Sequence, residues 1–413
     1  MATAAYLSKH FKRITIIESD DVLNDTFIES TPAELLNYHC RLESPTSIGR
    51  SGVSQIYQIH ILAGEGFKIL KELFPELADK LITQYGVRGN FIVDCTGRNT
   101  SSLRWLKENL NLIVPTVQLH FGCGYVTFIG ERFKTEDPLL DAIHLFGNNC
   151  NSPDKNTGRY INPIRTIKTD DENSLGVLSI IGVVGVNSEY PPNDSYEDLL
   201  EWAKEHTPSE CYTILKSTKP CNSLIPYRRI FDDRKYVELL GEKWPQSYIL
   251  LGDAMCKFNS RYAQGMTHAF RHARELGKIF DEHCHKLEDI SYIFNRPAST
   301  ISEEYWIGST TNDWKTPRLK LITTDKTGEI RTYQRGGDSN PTKDLEPRVP
   351  LMIKFLQCYN YWFIRCAAKS GSLSTDLVHV VSQDCNPLIL MKPTTLLKVC
   401  YMALIHQFRL SNN

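Results

Sequence analysis

The sequence predicts an α/β fold in three parts: a parallel sheet with helices, a second β-sheet inserted into it, and a helical C-terminal region. Three observations predict it. Strand and helix signals alternate near the start of the chain, a strand-loop-helix unit of the same kind returns only at residues 247–283, and runs rich in Val, Ile, Phe and Tyr lie between them at 118–130 and 175–187. A sheet whose strands come from such distant segments leaves room for an inserted domain. The implied limits are 1–105 with 240–283 for the first, discontinuous unit, 106–239 for the inserted sheet with its helix, and 284–413 for the helical region.

Taken in order, residues 2–10 (ATAAYLSKH) read as the body of a short helix. Residues 14–17 (ITII), ending on Glu18, are a β-branched run of the buried-strand type. Phe67, Leu70, Leu73, Phe74, Leu77 and Leu81 recur at helical spacing within 66–85. Residues 90–94 (NFIVD) form another short apolar strand, closed by the turn residue Gly97. The stretch 150–175 is polar and reads as a loop, and 195–217 reads as helical. Residues 247–252 (SYILLG) are a strand running directly into a loop. Residues 262–283 form an amphipathic helix with Met266, Ala269, Phe270, Ala273, Leu276, Gly277 and Phe280 on one face. Residues 308–348, rich in Thr, Lys, Gly, Asp and Pro, read as an irregular connection before the final helices.

Composition narrows the function. A chain of 413 residues with 41% apolar and 23% charged residues is globular, and a formal net charge of −1 gives no general field for nucleic acid. None of the twelve cysteines forms a C-x-x-C pair or a zinc-finger set with histidine, so the sequence points to reduced thiols, an intracellular, cytoplasmic setting and no metal site. The opening MATAAYLSKHFKR is too short in apolar residues for a secretory signal, and no run approaches the roughly 20 apolar residues that cross a bilayer. Leu351–Ile364 and Leu388–Ile405 are amphipathic; packing against the body of the protein is the expected role, and lying in a membrane interface is the alternative.

The chemistry concentrates at Gly252-Asp253-Ala254 and the following stretch to Gln264-Gly265-Met266. A buried strand delivers Gly252 to a tight turn and places Asp253 at the carboxyl end of a strand, where ligands of α/β sheets bind. A carboxylate there accepts hydrogen bonds from ligand hydroxyls. Gln264-Gly265-Met266 opens the next helix, whose free N–H groups suit an electron-rich group, and Gly265 lets a flat ring approach the backbone.

This run resembles the FAD-dependent monooxygenases and aromatic-ring hydroxylases. The resemblance implies an incomplete Rossmann-like FAD-binding domain with an inserted β-sheet substrate domain. It implies that Asp253, following Gly252, holds the flavin ribityl chain, and that the helix opened by Gln264, Gly265 and Met266 faces the pyrimidine end of the ring. The family's usual Pro and Gly stand here as Ser260 and Ala263. Residues 90–99 resemble the family's second strand-turn, which brings Asp94, Gly97 and Arg98 to the FAD diphosphate. Residues 50–60 resemble a segment lying along the cofactor, with Arg50, Gln55 and His60 as the matched positions, and Glu18 stands where the acid that binds the adenosine ribose belongs. The family's G-x-G-x-x-G loop would precede Met1, and several dozen family residues between Val87 and Asn90 are absent. The expectation is therefore a truncated member that binds FAD weakly or not at all.

The activity implied is hydroxylation or epoxidation of an apolar or aromatic small molecule with FAD, NAD(P)H and O2. Phe121, Tyr125 and Phe128 suggest such a substrate, unless they are plain core. No catalytic side chain is assigned. A degenerate, non-catalytic flavoprotein-like chain and a squalene-epoxidase-like or isoprenoid-reductase-like enzyme stand as the alternatives.

Overall fold

The computed structural model describes residues 2–10, 14, 91–142, 146–148, 150–163, 178–283, 286–335, 346–383, 385 and 387–411. Of the strand expected at 14–17 only Ile14 is among the described residues, and the helix expected at 66–85 lies outside them.

Helix α1 (Ala2–Leu7) precedes β1 (Ile92–Asp94), a 3-10 turn at Gly97–Asn99 and α2 (Ser102–Leu110). Then come β2 (Thr116–Glu131), α3 (Pro138–Asp141), β3 (Phe146–Asn148), β4 (Thr157–Pro163) and β5 (Leu178–Gly185). Helices α4 (Tyr196–His206) and α5 (Ser209–Lys216) occupy the region expected to be one helix. The break falls at Pro208, which has no N–H to give a preceding turn. Helix α4 starts on a reciprocal cap: the Asp198 N–H donates to Ser195 Oγ (3.0 Å), and that hydroxyl donates to the Asp198 carboxylate (2.6 Å). Strands β6 (Ile225–Lys235), β7 (Tyr248–Leu250) and β8 (Cys256–Lys257) lead to α6 (Gly265–His283) and α7 (Leu287–Asp313). A hairpin of β9 (Lys320–Thr324) and β10 (Ile330–Gln334) is followed by α8 (Leu351–Ala367), α9 (Gly371–Val381) and α10 (Pro393–Ser411).

The fold is α/β. Strands β1 and β7 pair in parallel, with Ile92 opposite Tyr248 and Asp94 opposite Leu250. Helices α1, α2, α6 and α7 surround this pair through a core that includes Leu7, Leu106, Ile249, Leu250, Leu276, Phe280 and Phe294. The larger sheet is antiparallel and runs β10-β9-β2-β5-β4-β3, with β6 on β2 and β8 on β6. Sixteen-residue β2 is its spine. One of its edges pairs with β6; along the other, Thr116–His120 pairs with β9 and Gly124–Glu131 with β5. A core of Phe121, Val184, Tyr305, Trp306 and Trp314 lies between this sheet and α7, and a separate one beneath α4 and α5 holds Phe128, Ile181, Leu199 and Ile214.

Three expectations are corrected. The stretch 150–175 was expected to be a loop, but it contains β4, whose residues read Thr-Gly-Arg-Tyr-Ile-Asn-Pro. Its polar residues hid a strand that pairing with β5 imposes. The stretch 308–348, expected to be irregular, holds the end of α7 and the β9–β10 hairpin. The hairpin turn is fixed by Asp325, whose Oδ1 accepts from the Thr327 N–H (2.8 Å), and by Gly328 at φ 88°. On α6, Met266 is 38% exposed instead of core, and Thr267, His268 and His272 take the buried side with Ala273, Leu276 and Phe280.

At the end of β5 an added Cβ on Gly185 would lie 1.8 Å from the Glu189 carbonyl oxygen, inside a tight backbone turn. Gly185→Ala is therefore expected to destabilise the chain by about 3 kcal/mol or more. Thermal unfolding of the purified variant checks it, and an unchanged midpoint would contradict the packing described.

Candidate functional site

Three loops converge at the carboxyl ends of β1 and β7. The strand register carries on past the ladder, because the Leu251 N–H donates to the Asp94 carbonyl (3.0 Å). This places Gly97 against Asp253: a Cβ built on Gly97 would lie 3.9 Å from that of Asp253. Gly252 turns the chain at φ 62°, and its N–H donates to His272 Nδ1 (3.3 Å). The third loop brings Gln264 and Gly265 alongside, and an added Cβ on Gly265 would sit 3.4 Å from Asp253 Oδ1. Asp94, Gly97, Arg98, Gly252, Asp253, Gln264, Gly265 and Met266 therefore share one end of the parallel pair. Glu18, Arg50, Gln55 and His60 lie outside the described residues.

The two aspartates differ sharply. Asp94 is turned back on its own loop. Its Oδ1 accepts from the Thr96 N–H (2.8 Å) and hydroxyl (2.6 Å), and its Oδ2 from the Thr100 (2.5 Å) and Ser102 hydroxyls. Burial pushes its pKa up, but hydrogen bonds from Ser102, Thr100 and Thr96 outweigh that and hold it below the usual carboxylate range. Asp94 thus shapes the turn that carries Gly97 and Arg98. Asp253, by contrast, is half-buried and makes no hydrogen bond to any described residue. Burial raises its pKa, opposed by the charges of Lys257, Lys235 and Arg98. Nearby, Gln264 Oε1 is a buried acceptor with no hydrogen-bond partner among the described residues. Burial lowers the pKa of Lys257 to about 8, with Arg98 contributing in the same direction.

Helix α6 opens at Gly265 and is 19 residues long, so its first N–H groups present a stable positive end beside Asp253. Its buried side holds two histidines that sequence reasoning missed. His272 Nε2 donates to the Ala298 carbonyl (3.0 Å), and His268 Nε2 pairs with Ser302 Oγ (2.9 Å). Burial keeps both neutral, His272 down to about 3. Their spacing of four along an amphipathic helix was a readable signal, but alone it does not separate a helix clamp from a ligand.

Beneath the third loop lies a second missed feature. Asn259 donates from its side-chain amide to both Asp313 oxygens (3.1 and 3.0 Å) and from its backbone N–H to Asp232 Oδ1 (2.6 Å). Arg261 pairs with Asp313 at 2.7 Å with both side chains almost fully buried. The Asp232 and Asp313 carboxyls interact directly. Burial raises both carboxyls; the Asp313 charge pushes Asp232 well above the carboxylate range, while Arg261 opposes the rise at Asp313, so the shared proton sits on Asp232 and Arg261 neutralises Asp313. The loop carrying Ser260 to Gly265 is thereby bolted to β6 and α7. Tyr125 reaches the same loop through its hydroxyl, 3.1 Å from Ser260 Oγ, whereas Phe121 and Phe128 are fully buried core.

The residues suit a flavin. A carboxylate and an amide acceptor without hydrogen-bond partners among the described residues, a helix N-terminus and a glycine whose added Cβ would touch Asp253 all face one junction.

No family model and no curated protein matches the sequence. Solved structures with partial likeness include pqsL, a probable FAD-dependent monooxygenase from Pseudomonas aeruginosa (TM-score 0.38, 14% identity, 55% of this chain and 56% of that one). Others are a triple mutant of the flavin-dependent brominase Bmp2 (0.37, 14%, 55% and 51%) and the OxyS anhydrotetracycline hydroxylase from Streptomyces rimosus (0.36, 11%, 71% and 46%). The chain spans about half the length of each of these proteins. At these TM-scores the likeness carries no inference about function, which rests on the residues.

Two outcomes test this geometry. Asp232→Asn replaces a protonated acid by a near-isosteric amide and is expected to change stability by less than about 1 kcal/mol, whereas Asp313→Asn strands buried Arg261 and is expected to cost about 3–5 kcal/mol. Denaturant unfolding of both variants checks the contrast, and equal losses would refute the proton assignment. Ala263 sits at φ 52°, ψ 33°. Ala263→Gly relieves a left-handed alanine and is expected to add about 1 kcal/mol of stability, read in the same unfolding curves.

Proposed function

We propose that this chain binds FAD where residues 94–98, 252–254 and 264–266 meet, and acts as an oxidoreductase. The observation that carries the reading is Asp253: a half-buried carboxylate at the end of a parallel strand, without a described hydrogen-bond partner, facing the first turn of α6. A carboxylate so placed is costly unless a ligand hydroxyl satisfies it. In this reading Asp253 accepts from ribityl hydroxyls and Gln264 Oε1 accepts from a ring N–H. The α6 N-terminus favours electron density at the pyrimidine end, and Arg98 adds positive charge for an anionic group. Met266, exposed at the helix start, supplies an apolar contact beside the ring.

When bound, FAD would supply the redox chemistry, taking electrons from NAD(P)H and delivering them to O2; the protein binds, orients and excludes water. Hydroxylation or epoxidation of an apolar or aromatic small molecule is the reaction that the sequence resemblance favours. Tyr125, tied to the 260–265 loop, marks the side of the larger sheet from which such a substrate would approach.

The test is flavin retention. After incubation with FAD and desalting, the purified chain is expected to keep the visible flavin absorbance, and Asp253→Ala is expected to weaken FAD binding by about 10- to 100-fold, the equivalent of a charge-assisted hydrogen bond. A folded wild-type chain that retains no flavin, or an Asp253→Ala variant that binds as well, would sink the proposal.

A further inference from the structure

Helices α8, α9 and α10 pack on a small core of their own, with Tyr359, Phe363, Cys366, Leu373 and Val399 inside. Their outward faces are also apolar. On α10, Leu397 (72% exposed), Cys400, Tyr401 and Leu404 (55%) recur at i, i+3, i+4 and i+7, which is one continuous stripe down the helix. On α8, Leu351 (84% exposed), Phe355 and Cys358 form a second stripe by the same spacing, and α9 exposes Val378 and Val381. Scattered single apolar residues on a surface need no partner, but stripes of this kind on adjoining helices mark an interaction site.

Charge identifies the partner. From Pro350 to the C-terminus the chain holds six lysines and arginines against two aspartates, in a protein whose formal net charge is −1. Lys354, Arg365, Lys369, Lys392 and Lys398 are exposed and meet no carboxylate among the described residues; Lys398 donates to Ser370 Oγ and Arg365 lies over the Tyr361 ring. Basic and aromatic residues flanking an apolar face are the composition of helices that lie in a lipid interface. A second copy of this chain would set like charges against each other, and an uncharged apolar partner would leave the lysines without a role. Among the described residues no helix is long and apolar enough to cross a membrane, so contact would be along the surface.

We propose that α8–α10 dock this protein on an anionic lipid surface, with the Leu397–Leu404 and Leu351–Cys358 stripes in the acyl boundary and the lysines at the headgroups. The inference is independent of the flavin reading. The test is flotation of the full chain with phosphatidylcholine vesicles, with and without phosphatidylserine, beside analytical ultracentrifugation without lipid. The wild type is expected to float with the anionic vesicles and to be released by high salt. Leu397→Glu with Leu404→Glu is expected to lower binding by about tenfold or more, as is Lys354→Glu with Lys398→Glu. All four positions are exposed, and circular dichroism confirms that the fold is kept; should the leucine pair fail to fold, the lysine pair decides alone. No flotation, binding that ignores lipid charge, or a lipid-independent dimer dissolved by the leucine substitutions would each overturn the proposal, the last in favour of a second copy.

Discussion

The candidate site exists because Ile92–Asp94 lies in parallel register beside Tyr248–Leu250. That short ladder joins segments separated by five strands of the larger sheet, β2 to β6, and it sets two strand ends level. From one end come Gly97 and Arg98; from the other, Gly252 and Asp253. A shift of one residue would send Ile249 and Leu250 each to the opposite face of the ladder and move Asp253 away from Gly97. The saturated Asp94 and the left-handed Gly252 then lock the two turns that follow.

A gradient of polarity surrounds this ladder. At the mouth, Asp253 and Gln264 keep acceptors without partners among the described residues, Asp253 under the influence of Lys257, Lys235 and Arg98. One loop deeper, Asp232, Asp313, Asn259 and Arg261 form a set in which one proton and one guanidinium balance two carboxyls. On the buried side of α6, two neutral histidines hold helix to helix. The deeper groups bond chiefly to one another, through Asn259–Asp313, Arg261–Asp313 and His268–Ser302, whereas Asp253 at the mouth bonds to no described residue.

Much of this was legible in the sequence because it depends on local signals. The strand-turn at 247–252, the α6 pattern and the β-branched runs of β2 and β5 are readable from periodicity alone, and Asp253 from its place at a strand end. What was hidden depends on tertiary partners. β4 is a strand because β5 pairs with it, not because Thr-Gly-Arg-Tyr-Ile-Asn-Pro favours one. The β9–β10 hairpin looked like a connection because its residues are polar and half-exposed, yet β2 needs it to finish an edge. The Asp232–Asp313 pair joins residues far apart in the chain, and no spacing rule could have announced it. Asp94 shows the converse: its position at a strand end is readable from the sequence, and only its hydrogen bonds reveal that its carboxylate serves the turn.

The shared edge of β2 bears on how the chain can be made. β6 covers one side of that strand, but the other is divided between β5 and β9, and β9 is encoded long after β5. As the polypeptide leaves the ribosome, Thr116–His120 must wait with open amides and carbonyls until Lys320–Thr324 emerges. During that interval the open edge of β2 is a template for any passing extended segment. A nascent chain halted before residue 320 would carry this unfinished edge indefinitely. Production of shortened forms would then depend on chaperones in a way that production of the full chain does not.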